Sequence, residues 1–299
     1  MGLLVLAIFV LCAYYVQNRG VVQHDTITRK ITDHANLLAP INCLFYAFSR
    51  DKASAYVAVD KFPELKILQD NWQVIRDEAI SLNNEAHIKA STDLDDLGFN
   101  SFFRTGWKRF YLKWYGANLK SAEQLCPKTL ALLNQLPSVK GAMFTMLPPG
   151  SRLGKHRDPY AGSLRYHLGL VTPNSDDCYI SVDGQDYSWR DGEAVMFDET
   201  YIHHAENKTD QNRIILFLDV KRPVSFFLVD FINEVFSRIV VAASATKNIK
   251  GDKVGFLNRI FSVVHRISLI GKKIKAFNRP LYKALQYGIY IGLIYWIFF

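Results

Sequence analysis

Residues 164–171 read LRYHLGLV. In an extended chain Leu164, Tyr166, Leu168 and Leu170 fall on one side, and Arg165, His167, Gly169 and Val171 on the other. This alternation predicts a strand with one fat face for a core and one face that carries polar groups. Downstream, Asp183-Gly184 and Asp191-Gly192 are hairpin signals between short apolar runs at 179–182, 187–189 and 194–197. Residues 213–220, RIILFLDV, close the set. Upstream, strand-like spacing begins at Met143, and residues 107–114, WKRFYLKW, mix aromatic and basic side chains in a way a strand accommodates. Short strands separated by such turns predict a mainly β core, a sandwich or jelly roll whose inner polar face holds a small ligand.

The rest of the chain surrounds that core. With 299 residues, 49% hydrophobic and 21% charged, the composition is globular and excludes a disordered or collagen-like chain. Four cysteines in this length exclude a disulfide scaffold; Cys12, Cys43, Cys126 and Cys178 form no CxxC and read as reduced thiols. Residues 25 to about 95 read as mainly helical. Leu65, Leu68, Trp72, Ile75, Ala79 and Leu82 recur at steps of three and four behind Pro63, which predicts a helix with one buried face. From Asp93 to Asp96 the sequence turns acidic and irregular. No repeat or low-complexity segment is visible.

Charge is distributed unevenly. Residues 221–299 hold 13 Lys or Arg and only Asp230, Glu234 and Asp252 as acids, so they carry +10 and leave the first 220 residues at −2. Both ends are apolar: residues 2–16 (GLLVLAIFVLCAYYV) and 287–299 (YGIYIGLIYWIFF) contain no charge, though each is shorter than the roughly 20 residues that span a bilayer. The first reads as a signal anchor with Tyr14 and Tyr15 as an interfacial belt, since it lacks a basic start and a small-x-small cleavage site. Arg19, Arg29 and Lys30 then place the intervening domain in the cytoplasm by the positive-inside rule. From Phe226 two amphipathic patterns follow, Phe227, Phe231, Val235 and Ile239, then Phe256, Ile260, Val263, Val264 and Ile267 with Arg259 and Arg266. Basic polar faces ahead of an apolar end predict helices lying on an anionic bilayer surface rather than a nucleic-acid site. The alternative is that these helices pack on the β domain.

Histidine carries the chemistry. His24, His34, His87 and His265 sit among ordinary neighbours. His156 lies in Lys155-His156-Arg157-Asp158, an H-x-D before the strand at 164–171, and His203 lies ten residues before Arg213. Two imidazoles and one carboxylate leave open positions on a metal, the arrangement that non-haem Fe(II) oxygenases use. H-x-D alone is a weak signal; followed by His203 and then Arg213 it is much more specific. Arg213 would supply a bidentate cation for the far carboxylate of 2-oxoglutarate; standing alone it would read as a salt-bridged strand end. His204 competes with His203, and because adjacent strand residues face opposite ways only one of them can coordinate.

Three runs, PGSRLGKHRDPYAGSLRYHLGLV at 149–171, FDETYIHHAEN at 197–207 and NRIILFLDV at 212–220, together resemble the aspartyl/asparaginyl β-hydroxylase family, densest over roughly 141–223. The HRDPY element, apolar ends and basic tail look like its bacterial membrane branch, the lipid A 2-hydroxylases. The resemblance implies an Fe(II)- and 2-oxoglutarate-dependent dioxygenase with a double-stranded β-helix core. It implies His156 and His203 as iron ligands, Arg213 and Thr145 at the far carboxylate of 2-oxoglutarate, and Arg165 and His167 near its metal-bound end. In the peptide-hydroxylating branch the position of Asp158 is glycine, so Asp158 as a third ligand is this chain's departure.

The expected organisation is an N-terminal anchor at 1–20, a helical and mixed segment at 25–140, the β-helix core at 141–223, membrane-surface helices at 224–286 and a C-terminal anchor at 287–299. The expected activity is hydroxylation of a lipid A acyl chain at C2, using Fe(II), 2-oxoglutarate and O2, at the cytoplasmic face of a bacterial inner membrane, with no nucleic acid and no protein partner implied. The rival enzyme reading is a membrane-tethered peptide Asp/Asn β-hydroxylase, and the non-enzyme reading is a β-helix binding module.

Overall fold

The computed structural model describes residues 2–51, 53–90, 96, 99–249 and 251–298; side chains at 262, 265–266, 289–291 and 293–298 lie outside that description. Helices α1 (Gly2–Gln17), α2 (Ile27–Ile31) and α3 (Ala39–Phe48) precede a two-residue strand β1 (Tyr56–Val57), and α4 (Lys66–Asp70) and α5 (Trp72–Asn84) follow. Next come β2 (Lys108–Trp114), β3 (Ala117–Asn118), α6 (Lys120–Leu125) and α7 (Pro127–Leu133). The core strands are β4 (Val139–Leu147), β5 (Arg152–His156), β6 (Ser163–Val171), β7 (Cys178–Val182), β8 (Gln185–Ser188), β9 (Ala194–Phe197), β10 (His203–Asn207) and β11 (Arg213–Lys221). Helices α8 (Phe227–Phe236), α9 (Phe256–Phe277) and α10 (Arg279–Phe298) end the chain.

The strands form two antiparallel sheets, one of seven strands in the order β1-β9-β6-β11-β4-β2-β3 and one of four in the order β5-β10-β7-β8. Strand β6 sits inside the large sheet, and the alternation at 164–171 is that of a strand buried on both faces: Leu164, Tyr166, Leu168 and Leu170 lie in the apolar core, while Arg165 and His167 line a cavity shared with the small sheet. Helix α5 packs on β6 and buries Ile75, Ala79 and Leu82. Gly169 is required where it stands, because a Cβ there would collide with the Arg190 carbonyl.

Several expectations meet the structure directly. Asp183 and Gly184, at φ 50° and 82°, make the tight β7–β8 hairpin, both residues taking the positive φ that a type I′ turn demands. Asp191-Gly192 is not a hairpin: β8 belongs to the small sheet and β9 to the large one, so this turn carries the chain between sheets. The helix expected over 65–82 is broken at Asn71, whose side-chain amide caps the Ile67 carbonyl at 2.8 Å. Strand β4 starts at Val139, and β1, β2 and β3 from earlier in the chain join its sheet. The four cysteines are free, yet Cys12 and Cys43, distant in sequence, meet where α1 crosses α3 (Cys43 Sγ to the Cys12 carbonyl, 3.8 Å). The acidic stretch from Asp93 lies outside the described residues except for Asp96, which pairs with buried Arg109 at 3.0 Å.

At the termini, no helix among the described residues is long and apolar enough to cross a membrane. Most side chains of 287–299, and Arg266, lie outside the description. The predicted apolar stripes are present and exposed: Phe227 and Phe231 on α8, and Phe256, Val263, Val264 and Ile267 on α9, point away from the β core. Arg19 is not a free charge at the membrane, as the positive-inside reading had it. It is buried, pairs with Asp198 at 2.7 Å and stacks on Tyr46 and Tyr201. Its charge locks the end of α1 to the core, and with Arg222 it holds the buried Asp198 carboxyl well below the usual range against the opposing effect of burial. Arg19→Ala is therefore expected to cost about 3 kcal/mol, the usual penalty for breaking a buried pair, read by denaturant unfolding. Because the Asp198 pKa is depressed, that loss should be present at neutral pH and shrink as pH falls below about 4, where an unfolded aspartate is protonated.

Candidate metal and cosubstrate site

The inner faces of the two sheets bring the predicted residues together. Strands β5 and β10 pair so that His156 lies opposite His203, their ring centroids 4.2 Å apart. Between these strands the register slips: Leu153 opposes Ala205 while His156 opposes His203, so Gly154 and Lys155 face the single residue His204. Residues 153 and 156 of a regular strand would face opposite sides; this bulge lets Leu153 and His156 both line the cavity.

The ligand-type atoms of His156, Asp158 and His203 lie within 4.8 Å of one another, the group of at least three such side chains that the described residues bring together. Each imidazole has its Nδ1 against a backbone carbonyl, His156 on Gly154 at 2.7 Å and His203 on Tyr201 at 3.0 Å. Nδ1 must carry the proton there, which leaves both Nε2 lone pairs free for a metal. Burial, then the neighbouring His156, pushes His203 down to about 3, so it is neutral and ready to ligate. Asp158 is ionised: burial opposes its charge, but Arg165 and the two imidazoles outweigh burial and hold its pKa below the ordinary value. His204 turns to the outer side, near the Tyr179 ring, and is not in the group.

Arg165 is committed to carboxylates. It contacts Asp158 at 2.8 Å, Asp219 at 3.0 Å and Glu199, with its guanidinium 3.7 Å from the centre of the Phe217 ring. Ser163 donates to Glu199 at 2.6 Å, and Tyr115 donates to Asp219 at 3.1 Å. Burial raises the pKa of both Glu199 and Asp219, with Arg165 pulling the other way. Arg165 therefore positions Asp158 rather than offering a free cation.

Arg213 and His167 have the opposite character. Arg213 is 2% exposed and makes no ion pair with any described residue; its guanidinium lies over Trp189 at 4.4 Å, one nitrogen reaches Thr145 Oγ1 at 3.4 Å, and its Nε has no partner. Burial lowers its pKa to about 10. Both ring nitrogens of buried His167 and the Trp189 indole nitrogen are also unpartnered. Burial, then Arg165 and Arg213, keep His167 neutral. Buried donors left unsatisfied are costly unless something pairs with them. A buried cation, a hydroxyl and uncommitted ring nitrogens lining the same cavity as the metal-type cluster fit a small dicarboxylate beside a divalent ion.

The sequence reading gave no role to Glu199, Asp219, Trp189 or Arg157. Asp219 carries a signal in its setting, an acid inside the apolar run RIILFLDV. Arg157, between His156 and Asp158, turns away from the cavity to the Val16 carbonyl at the end of α1 and to Asp33 at 3.2 Å. Asn42 of α3 bonds the Pro159 carbonyl and the Ala161 amide at 2.8 and 2.9 Å. The two helices thus brace the turn that carries His156 and Asp158.

If Asp158 is a ligand, Asp158→Gly should weaken Fe(II) binding clearly. An iron titration of that variant that overlays wild type would reduce the site to two histidines.

The sequence profile of the Aspartyl/Asparaginyl beta-hydroxylase family matches residues 69–223, just over half of the chain. Over 121 residues the chain is 41% identical to an ornithine lipid ester-linked acyl 2-hydroxylase of Rhizobium tropici, covering 40% of this chain and 43% of that one. Over 167 residues it is 28% identical to the human aspartyl/asparaginyl beta-hydroxylase, covering 53% of this chain and 21% of that one. The chain spans less than half the length of these relatives. Among solved structures, a cupin 2 conserved barrel domain protein from Salinispora arenicola aligns at a TM-score of 0.27 and 14% identity, over 42% of this chain and 82% of that one, a likeness too slight to carry an argument.

Proposed function

Because this chain belongs to the aspartyl/asparaginyl β-hydroxylase family, we propose that it is an Fe(II)- and 2-oxoglutarate-dependent dioxygenase that hydroxylates a lipid acyl chain at C2, with a lipid A acyl chain as the leading substrate. The observation that carries the reading is Arg213, a buried guanidinium without an anionic partner among the described residues, in the same cavity as His156, Asp158 and His203. The acyl specificity is supported by the 41% identical relative, whose name gives ornithine lipid acyl 2-hydroxylation.

When bound, iron and 2-oxoglutarate supply the oxidation, in which O2 is consumed, 2-oxoglutarate becomes succinate and CO2, and a C–H becomes C–OH. The protein's part is placement. His156, His203 and Asp158 hold the metal; Arg213 and Thr145 take the far carboxylate of 2-oxoglutarate, and His167 and Trp189 are the uncommitted donors beside it. Phe99, Phe102, Trp107 and Phe217 make the cavity wall apolar and keep water from the reacting carbon.

Membrane association is part of the proposal. The exposed apolar faces of α1, α8 and α9, with +10 on residues 221–299, suit an anionic leaflet, each charge near the surface contributing about 1 kcal/mol. Placement at the cytoplasmic face of a bacterial inner membrane then rests on Arg29 and Lys30, since Arg19 is used in the core. The deciding measurement is mass spectrometry of lipid A from cells with and without this protein. A gain of one oxygen atom on an acyl chain is expected; unchanged lipid A together with hydroxylation of an Asp- or Asn-containing peptide would transfer the assignment to the peptide branch.

A further inference from the structure

Carbon 2 of an acyl chain adjoins the carbonyl of its ester or amide link. An enzyme that oxidises C2 must therefore seat the ester or amide link, and with it the headgroup side of the lipid, next to its metal, whereas a mid-chain oxidation would leave that side remote. The inference below rests on the acyl 2-hydroxylase reading and asks where that headgroup sits.

A cleft of about 440 Å³ opens beside the metal cavity, lined by Thr105, Arg152, Leu153, Lys155, His204 and Glu206 among others. It shares Leu153 with the cavity, and Lys155 and His204 are the chain neighbours of His156 and His203. The β5 bulge creates this adjacency: the register slip that turns Leu153 and His156 inward puts Lys155 on the outer side. Arg152 and Lys155 are exposed and neither makes an ion pair among the described residues. The one acid of the cleft, Glu206, is engaged elsewhere, with Lys208 at 3.2 Å and the Tyr179 hydroxyl at 3.1 Å. Two uncommitted cations thus stand over a partly apolar floor next to the proposed reacting centre.

We propose that this cleft seats the anionic headgroup, bearing phosphate or carboxylate, of the lipid whose acyl chain enters the metal cavity, with Arg152 and Lys155 as its counter-ions. A cationic or neutral headgroup would leave both uncompensated. A planar guanidinium and a compact ammonium lining one cleft suit an anion with several acceptor oxygens.

The test is calorimetry on the full-length protein in neutral detergent with four short probes: dihexanoyl phosphatidic acid, N-hexanoylglycine as the carboxylate lipid, dihexanoylglycerol as the neutral comparison, and inorganic phosphate. At least one anionic lipid should bind tenfold or more tighter than dihexanoylglycerol, and which one does so separates phosphate from carboxylate. The preference should fall below threefold in the double variant Arg152→Gln, Lys155→Gln, and survive in Arg152→Lys, Lys155→Arg, which keeps both charges and controls for folding. The inference is overturned if wild type shows no preference, if the glutamine variant keeps it, or if inorganic phosphate binds as tightly as the lipid. An Asp-rich peptide that binds more tightly through the same two residues would also overturn it. Charge-dependent lipid binding with unchanged lipid A and no hydroxylation of either anionic acyl probe would instead sink the activity and leave the cleft assigned.

Discussion

His203→Ala and His156→Ala are each expected to abolish hydroxylation and to reduce Fe(II) binding by orders of magnitude, while His204→Ala keeps its iron affinity. The proposed ligand set has only two or three members, so each loss removes a large share of it, and His156, Asp158 and His203 are the metal-type group among the described residues. The preparation of the two imidazoles is alike: each has Nδ1 against a backbone carbonyl, which leaves Nε2 for a metal, and the two ring centroids lie 4.2 Å apart across paired strands. His204, one residue on, is rotated to the outer side by strand geometry and has no line to the cavity. Iron titration followed by turnover on the same samples reads both quantities. A His204→Ala protein without iron affinity, beside a His203→Ala protein that retains it, would mean that the register of β10 has been assigned to the wrong histidine.

How far such a site is legible in sequence depends on the range of the interaction that makes each part. The alternation at 164–171 and the Asp183-Gly184 turn are local, and period-two patterning with paired positive φ values gave them directly. Asp191-Gly192 has the same local signature, yet it carries the chain between sheets, because which sheet a strand joins is decided by partners far away in the chain. The two histidines and Arg213 stand out in sequence because their side chains have few uses in apolar strands, and the fold brings all three to one cavity. Arg165 lies on the polar face that the alternation predicts, and its commitment to Asp158, Glu199 and Asp219 depends on three segments meeting in space, one of them an acid in the middle of β11. Arg19 shows the limit most plainly: in sequence it is a charge after an apolar run, and only the fold reveals Asp198, 179 residues away, as its partner. The apolar stripes of α8 and α9 were legible by their period, and their exposure is what a surface-lying helix requires.

Arg213→Met is expected to raise the 2-oxoglutarate concentration needed for half-maximal turnover roughly 30-fold or more, the effect of losing about 2 kcal/mol or more of a desolvated charge-assisted pair. The same substitution should leave the cosubstrate-free protein as stable as wild type or more stable. The sign of that second effect separates the two roles open to a buried arginine. One that supports the fold is paired, and removing it strands a buried acid at a cost of several kcal/mol. Arg213 has no acid among the described residues; it has a stacked indole, a long contact to Thr145 and an Nε with no partner, and burial alone has drawn its pKa down to about 10. The free protein therefore bears the cost of a desolvated cation, which a 2-oxoglutarate carboxylate would relieve on binding, and methionine fills much of the same space without it. Thermal unfolding without cosubstrate, paired with 2-oxoglutarate titrations at saturating Fe(II), measures both terms. A variant with a lowered midpoint of unfolding and an unchanged 2-oxoglutarate requirement would make Arg213 a structural residue and remove the main support for the cosubstrate assignment.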